Sequence, residues 1–456
     1  MTNQPAHKHS KKKKRAALYQ TLWKWHFYAG LIFAPFLLIL AVTGAVYLFK
    51  PQIETFLYSD YYQVTESGEE VSAAEQVQAA EAEYPSAVTT AFRPGESPTR
   101  SSEVKLQNGG DSLTVFVNPY SGETMGSLND EDRIMDKIEE IHGELMAGTT
   151  GDRIVELAAS WAVVLIGTGL YLWLPNRKKG PGGVWFPRLN KGKKIFRRDL
   201  HAVPAFWISA GMLFLIMTGL PWSGFWGTNF QNMATNTGEG YPPSIWTGSA
   251  PTSDIETKDI AEVPWAAETL DVPVSDIQGL TPVSINDVVQ KAEQLDVHSS
   301  YSVYYPDTPE GVYTLSAFPP RAQDEATVHI DQYTGAVLAN YQFDDYGWLG
   351  KTVALGITLH KGTQFGLFNQ LLSLLICLGI ILVVVSGFYL WLKKNPGHGI
   401  GAPKEMDNKS SKPFFVLLIV LGLLFPLAGM SLLIAFLIDL WIIRRVALLR
   451  RFFHEA

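Results

Sequence analysis

The sequence predicts an integral membrane α-helical bundle of four core spans plus a C-terminal span or hairpin. An internal duplication adds two extracytoplasmic α+β domains. Three observations carry that reading. Hydrophobic residues make up 47% of the 456-residue chain, gathered into runs near 27–49, 154–174, 202–224, 364–392 and 414–443. Each run reaches the ~20 residues a helix needs to cross a bilayer core. Charge is segregated, with short basic stretches alternating with long acidic ones. The chain also repeats itself: His142 precedes Gly169 of "GLYLWL" by 27 residues, and His360 precedes Gly387 of "GFYLWL" by the same 27, spacing that marks a repeated unit.

Residues 1–24 form a basic N-terminus with seven Lys/Arg and no acid. Span 1 occupies 25–50. Its apolar stretch is too long for a signal-peptide core and no small-residue cleavage site follows it, so an uncleaved span is expected. Segment 51–141 is the first external domain. In it, "SAAE" (Ser72–Glu75) reads as a helix cap with an acid three residues on. The alternating strand "LTVFV" then runs into a turn at Tyr120–Gly122, where glycine takes positive φ. A lead-in and span 2 fill 142–175. The 176–200 loop holds nine Lys/Arg against Asp199 alone; basic short loops mark the cytoplasmic side.

Span 3 covers 201–226. The second external domain, 227–359, has its own cap at "SIND" (Ser284–Asp287) and its own turn at Tyr333–Gly335. The acidic segments 51–152 and 227–362 carry five Lys/Arg each, which places them outside. A lead-in and span 4 fill 360–393, followed by a cytoplasmic loop at 394–413. The run 414–443 reads two ways. A single span would put "RRVALLRR" outside, against the charge rule, whereas a hairpin broken at Pro426–Gly429 keeps both ends inside. Residues 444–456 are a basic tail. The expected location is a bacterial cytoplasmic membrane, multi-pass, with the N-terminus cytoplasmic.

Topology then places the histidines. His26 and His201 begin inside-to-outside spans, so both lie near the inner leaflet. His142 and His360 precede outside-to-inside spans. Twenty-seven residues of continuous helix would cover ~40 Å, which puts these two at or beyond the outer interface, on a lead-in helix. The duplication pairs like with like, His26 with His201 and His142 with His360. Paired imidazoles across a helix bundle are what a bis-histidine b haem needs, each giving one nitrogen to the iron. Small residues follow each ligand candidate: Ala29 and Gly30, Gly143, Ala205, Gly362. Lys24, Arg197 and Arg198 inside, and Arg153 and Lys361 outside, are at the level to hold propionates.

Other chemistries fit less well. Cys377 is the single cysteine, which excludes an intramolecular disulfide and covalent haem attachment through C-x-x-C-H. No Cys, Asp or Glu accompanies the His pairs at zinc or copper spacing. "KKGPGGVWF" lacks the preceding strand and G-x-G-x-x-G of a phosphate loop. His329 lies in the strand before the second turn, where the first copy has Phe116, so strand packing is expected of it. Glu156 and Asp439 are the only acids expected inside the spans, which argues against metal transport along them. The net charge of −7 suits no nucleic-acid partner.

The His-headed spans, the "GLYLWLP" and "GFYLWLK" span ends, the "NPYSGE" and "DQYTGA" turns and the late "FPLAGMSLL" resemble the PepSY-associated transmembrane helix family, from about residue 18 to 445. Some members of that family are similar to haem-containing inner-membrane reductases that release iron from ferric siderophores. The resemblance implies two b haems carrying electrons to an acceptor outside, with His26, His142, His201 and His360 as ligand candidates. It also implies external PepSY-like modules, a type better known from protease propeptides, so their fold alone does not fix function.

Two readings follow. In the first, a separate donor (a flavoprotein, reduced flavin or a quinol) supplies electrons that reduce a ferric siderophore or other ferric complex; "FWGTNFQNMATNTGEGYPPSIWTG" (Phe225–Gly248) is a candidate lining for the acceptor site or an interfacial aromatic belt. In the second, the helices only anchor modules that bind or inhibit an extracytoplasmic protease or envelope partner. The four-histidine pattern separates them, because a plain anchor has no need of it.

Overall fold

A computed structural model describes residues 5–173, 182–240, 252–275, 281–394, 412–443 and 445–446. The chain divides into a helical unit (1–45, 140–228 and 372–456) and a sheet unit (46–139 and 229–371). Among the described residues, four helical stretches are long and apolar enough to cross a bilayer: Leu18–Tyr47, Gly148–Trp173, Lys193–Trp222 and Leu367–Lys393. The protein is a multi-pass membrane protein carrying a sheet-rich α+β part.

In the helical unit, Ala29 and Phe33 of the first span pack against Ala158, Trp161 and Val164 of the second. Phe33 and Trp161 stack with ring centres 5.5 Å apart, and the Trp161 indole donates to Ser431 Oγ at 2.9 Å. Glu156, counted above as one of the few acids in the spans, is only 2% exposed. Its Oε2 accepts from the Phe225 and Trp226 amides at 3.0 and 3.1 Å, and Asp152 accepts from the Gly224 amide at 2.9 Å. Arg153 bridges both carboxylates, at 2.8 and 3.8 Å. Carboxylates are stabilised where they meet the unpaired amides of a helix start, and Trp226 opens the helix Trp226–Asn236. Glu156 is therefore a cap within the helical unit.

Near the C-terminus, the helices Lys412–Leu424 and Pro426–Ile438 are separated at Phe425. Gly422 and Gly429 let them approach so closely that a Cβ at 429 would lie 2.5 Å from the Gly422 Cα. Each arm has 13 residues, or ~20 Å. Asp439 begins a π-helical turn, Asp439–Ile443.

Among the described residues, the sheet unit has ten strands: β1 Val88–Arg93, β2 Ser102–Asn108, β3 Asp111–Val117, β4 Thr124–Asn129, β5 Thr252–Glu256, β6 Asp271–Pro273, β7 Tyr301–Tyr304, β8 Val312–Ala317, β9 Ala326–Asp331 and β10 Val337–Gln342. Eight form one antiparallel sheet in the order β10-β9-β8-β7-β1-β2-β3-β4, and β5 pairs with β6. The two acidic segments, expected as separate domains, thus share a sheet. They join where β1 meets β7 through Ala91–Tyr304 and Phe92–Val303.

One face of this sheet is covered by the helices Ala73–Glu83 and Ile285–Gln294, whose Val77, Ala80, Val288 and Ala292 meet Val104, Val115, Leu315 and Val328. Both helices start with a reciprocal cap, Ser72 with Glu75 and Ser284 with Asp287. The tyrosine turns place Gly122 at φ 69° and Gly335 at φ 66°, the left-handed region that glycine enters without steric cost. On the opposite face, Phe116 stacks on Tyr61 at 5.5 Å. His329, on the corresponding strand β9, is fully buried between Thr314 at 3.0 Å and Thr257 at 3.4 Å.

Candidate functional site

Span geometry sets His26 and His201 facing each other. Their ring centres are 6.4 Å apart and their planes cross at 75°. A metal–imidazole bond is about 2 Å long, so two imidazoles sharing one metal put their ring centres about 6 Å apart. Both rings line an apolar cavity of about 400 Å³, bounded also by Gly30, Ala202, Ala205, Phe206 and Trp173. That volume falls within the range of about 300–1,000 Å³ seen for small-molecule sites.

Glycines of the facing spans lie against the rings. A Cβ at Gly169 would lie 3.1 Å from His26 Cε1, and one at Gly387 would lie 3.1 Å from His201 Cε1. Of the small neighbours expected from the sequence, Gly30 and Ala205 do line the cavity, while Ala29 points into the helix-packing core. His26 Nδ1 is 3.0 Å from Thr168 Oγ1, and His201 Nδ1 is 2.9 Å from the Val383 carbonyl.

His142 also belongs to the helical unit. It rides on the helix Ile134–Glu144, set off from the second span by Leu145, Met146 and Gly148, all at positive φ. Two successive non-glycine residues in that region are uncommon. They let the chain reverse, and His142 Nδ1 comes 2.9 Å from Thr43 Oγ1. His360 belongs to the sheet unit, where it ends the helix Trp348–His360 ahead of Gly362 and Gly366, both at positive φ. Both outer candidates therefore sit on short helices before their spans.

The basic residues fare unevenly. Arg198 lines the cavity while also reaching Asp199 at 3.1 Å. Asp199 is buried and holds Arg188 through two bonds of 2.7 Å. Arg197 lies over the Tyr389 ring at 5.4 Å. Arg153, expected as a propionate partner, is instead committed to Asp152 and Glu156. Lys24 does not line the cavity. In the sheet unit, Lys361 stands 4.7 Å from the Phe318 ring centre; burial lowers its pKa, and Glu139 and Glu262 act against that. Nearby, burial pushes Glu325 up to about 8, opposed by the Tyr346 hydroxyl and Lys361.

Among the described residues, no three His, Cys, Asp or Glu side chains come together as a metal cluster. Of the aromatic stretch 225–248, residues 226–236 are helical and 241–248 lie outside the described residues. The sequence reading gave no role to the hydroxyl–glycine pairs against which the rings lie. The available signal was Thr168 and Ser386, each 26 residues after an outer histidine.

Comparison with protein families finds that a model described as the PepSY-associated TM region matches residues 23–394. No curated protein matches the chain.

Proposed function

The chain belongs to the PepSY-associated TM region family, and on that premise we propose that it is a membrane di-haem b electron-transfer protein. It passes electrons across a bacterial cytoplasmic membrane to reduce a ferric siderophore or similar ferric complex for iron uptake. The supporting observation is the His26–His201 pair, two imidazoles 6.4 Å apart beside an apolar cavity, with glycines behind them. The residues there fit a b haem. His26 and His201 would each give a ring nitrogen to the iron, Gly30, Ala202 and Ala205 would leave room beside it, and Arg198 would hold a propionate. A b haem so held takes up and releases single electrons, at a potential set by ligands, hydrogen bonds and burial. The protein's own part is to fix both rings and to keep the cavity apolar.

The proposal retains His142 and His360, on their sequence register, as ligand candidates for a second haem. It retains the internal duplication and the orientation read from charge, with residues 1–24 and 176–200 cytoplasmic and both acidic segments outside. The chain carries no flavin or nicotinamide motif, so a separate flavoprotein, reduced flavin or quinol supplies each electron. One electron converts Fe(III) in the acceptor to Fe(II), which hard oxygen ligands hold much less tightly.

The test is an oxidised-minus-reduced absorbance spectrum of the purified full chain in detergent, with a pyridine haemochrome assay. Low-spin b-type bands at about two haems per chain are expected. His26→Ala and His201→Ala should each remove the same haem. A colourless, folded protein from haem-replete cells would refute the reading and leave a membrane-anchored binding module.

A further inference from the structure

Each candidate span carries a hydroxyl–glycine doublet: Thr43–Gly44, Thr168–Gly169, Thr218–Gly219 and Ser386–Gly387. On three of them a histidine ring is seated. His26 lies on Thr168–Gly169, His201 on Ser386–Gly387 and His142 on Thr43–Gly44. In all three, the nitrogen turned to the seat is Nδ1.

Where the protons lie follows from the partners. The Thr168 hydroxyl has one hydrogen, and it donates to the Val164 carbonyl at 2.7 Å. With that hydrogen on the Val164 carbonyl, nearer at 2.7 Å than His26 Nδ1 at 3.0 Å, the Thr168 oxygen is left to accept from the ring. Thr43 likewise reaches the Ile39 carbonyl at 2.8 Å, and with its hydrogen there the oxygen is left to accept from His142 Nδ1 at 2.9 Å. For His201 the partner is the Val383 carbonyl, which accepts only, with Ser386 Oγ farther away at 3.5 Å.

The geometry points to these doublets as positioning seats. They lock His26, His142 and His201 in the Nδ1–H tautomer, so that each presents the Nε2 lone pair as the ligating nitrogen. An acceptor bonded to the far nitrogen of a ligating imidazole fixes ring orientation and raises ligand basicity. Ordinary span packing explains a glycine near a helix and a hydroxyl bonded to its own preceding turn. It does not explain three rings turned the same way. What is ligated rests on the di-haem reading; the tautomers do not.

The two can be tested apart on the full chain labelled with 15N-histidine. In haem-free protein, His26, His142 and His201 should show the Nδ1–H tautomer, the less favoured form in water. Thr43→Val should release His142 alone, and Thr43→Ser should restore it. In haem-loaded protein, Thr168→Val should raise the midpoint potential of the centre bound by His26. It should also speed haem transfer to apomyoglobin by roughly 10–100-fold, with Thr168→Ser near the parent. Nε2–H tautomers at these three positions would overturn the proposal, as would unchanged potential and haem transfer in Thr168→Val. Absence of haem with Nδ1–H tautomers intact would refute the di-haem reading alone.

Discussion

Two buried groups in the sheet unit make opposite demands on pH. His329 is fully buried, and burial holds its pKa down at about 4 against an ordinary 6.5. Between those values the unfolded chain binds a proton that the fold refuses, so stability falls as pH falls. At 1.36 kcal/mol per unit the loss reaches about 3 kcal/mol. Glu325 is 3% exposed and is pushed up to about 8 from 4.5. Between 4.5 and 8 the fold keeps a proton that the unfolded chain has released, so stability falls as pH rises, by up to about 5 kcal/mol. From 4.5 to 6.5 the two slopes cancel; above 6.5 Glu325 acts alone. Guanidinium unfolding of the full chain in detergent at pH 4 to 8 measures this, comparing the parent with His329→Phe and Glu325→Gln. The stability difference between parent and His329→Phe should shrink by about 3 kcal/mol from pH 6.5 to 4 and stay level above 6.5. The advantage of Glu325→Gln over the parent should grow with pH. A parent-minus-His329→Phe difference that is level from pH 4 to 8 would refute the assignment of the acid-side slope to His329.

Gly169→Ala should displace the His26 ring, since its Cβ would sit 3.1 Å from Cε1, while Gly167→Ala on the same helix meets nothing within 4 Å. Haem per chain should drop in the first and match the parent in the second; equal haem in both would refute the close-approach argument. Glu156→Gln leaves an acceptor for the Phe225 and Trp226 amides but removes the charge, at a cost of about 1–2 kcal/mol. That should appear as a lower unfolding temperature in detergent, and an unchanged midpoint would show that the cap does not matter.

Features set by local sequence were legible. The four spans follow from apolar runs, the two helix caps from Ser72 and Ser284 with an acid three residues on, and the turns from Gly122 and Gly335. The meeting of His26 and His201 was also legible, because each heads an apolar run in the same register. Contacts between distant segments were not. Gly169 and Gly387 looked like parts of a span-end motif, because which ring lies against them depends on how the helices face. Glu156 read as an isolated acid because the amides it caps lie 69 and 70 residues away. The joining of β1 to β7 has no local pattern at all.

That junction bears on how the gene can be divided. Within the eight-stranded sheet, β1 and β7 are interior strands held to each other by two residue pairs. Severing the halves would turn each into a terminal strand with a row of unmet amides and carbonyls, a template for pairing with any other copy. A chain cut between β4 and β5 would therefore leave both pieces with an open sheet edge. Loss of either piece would give aggregation before it gave a simpler protein.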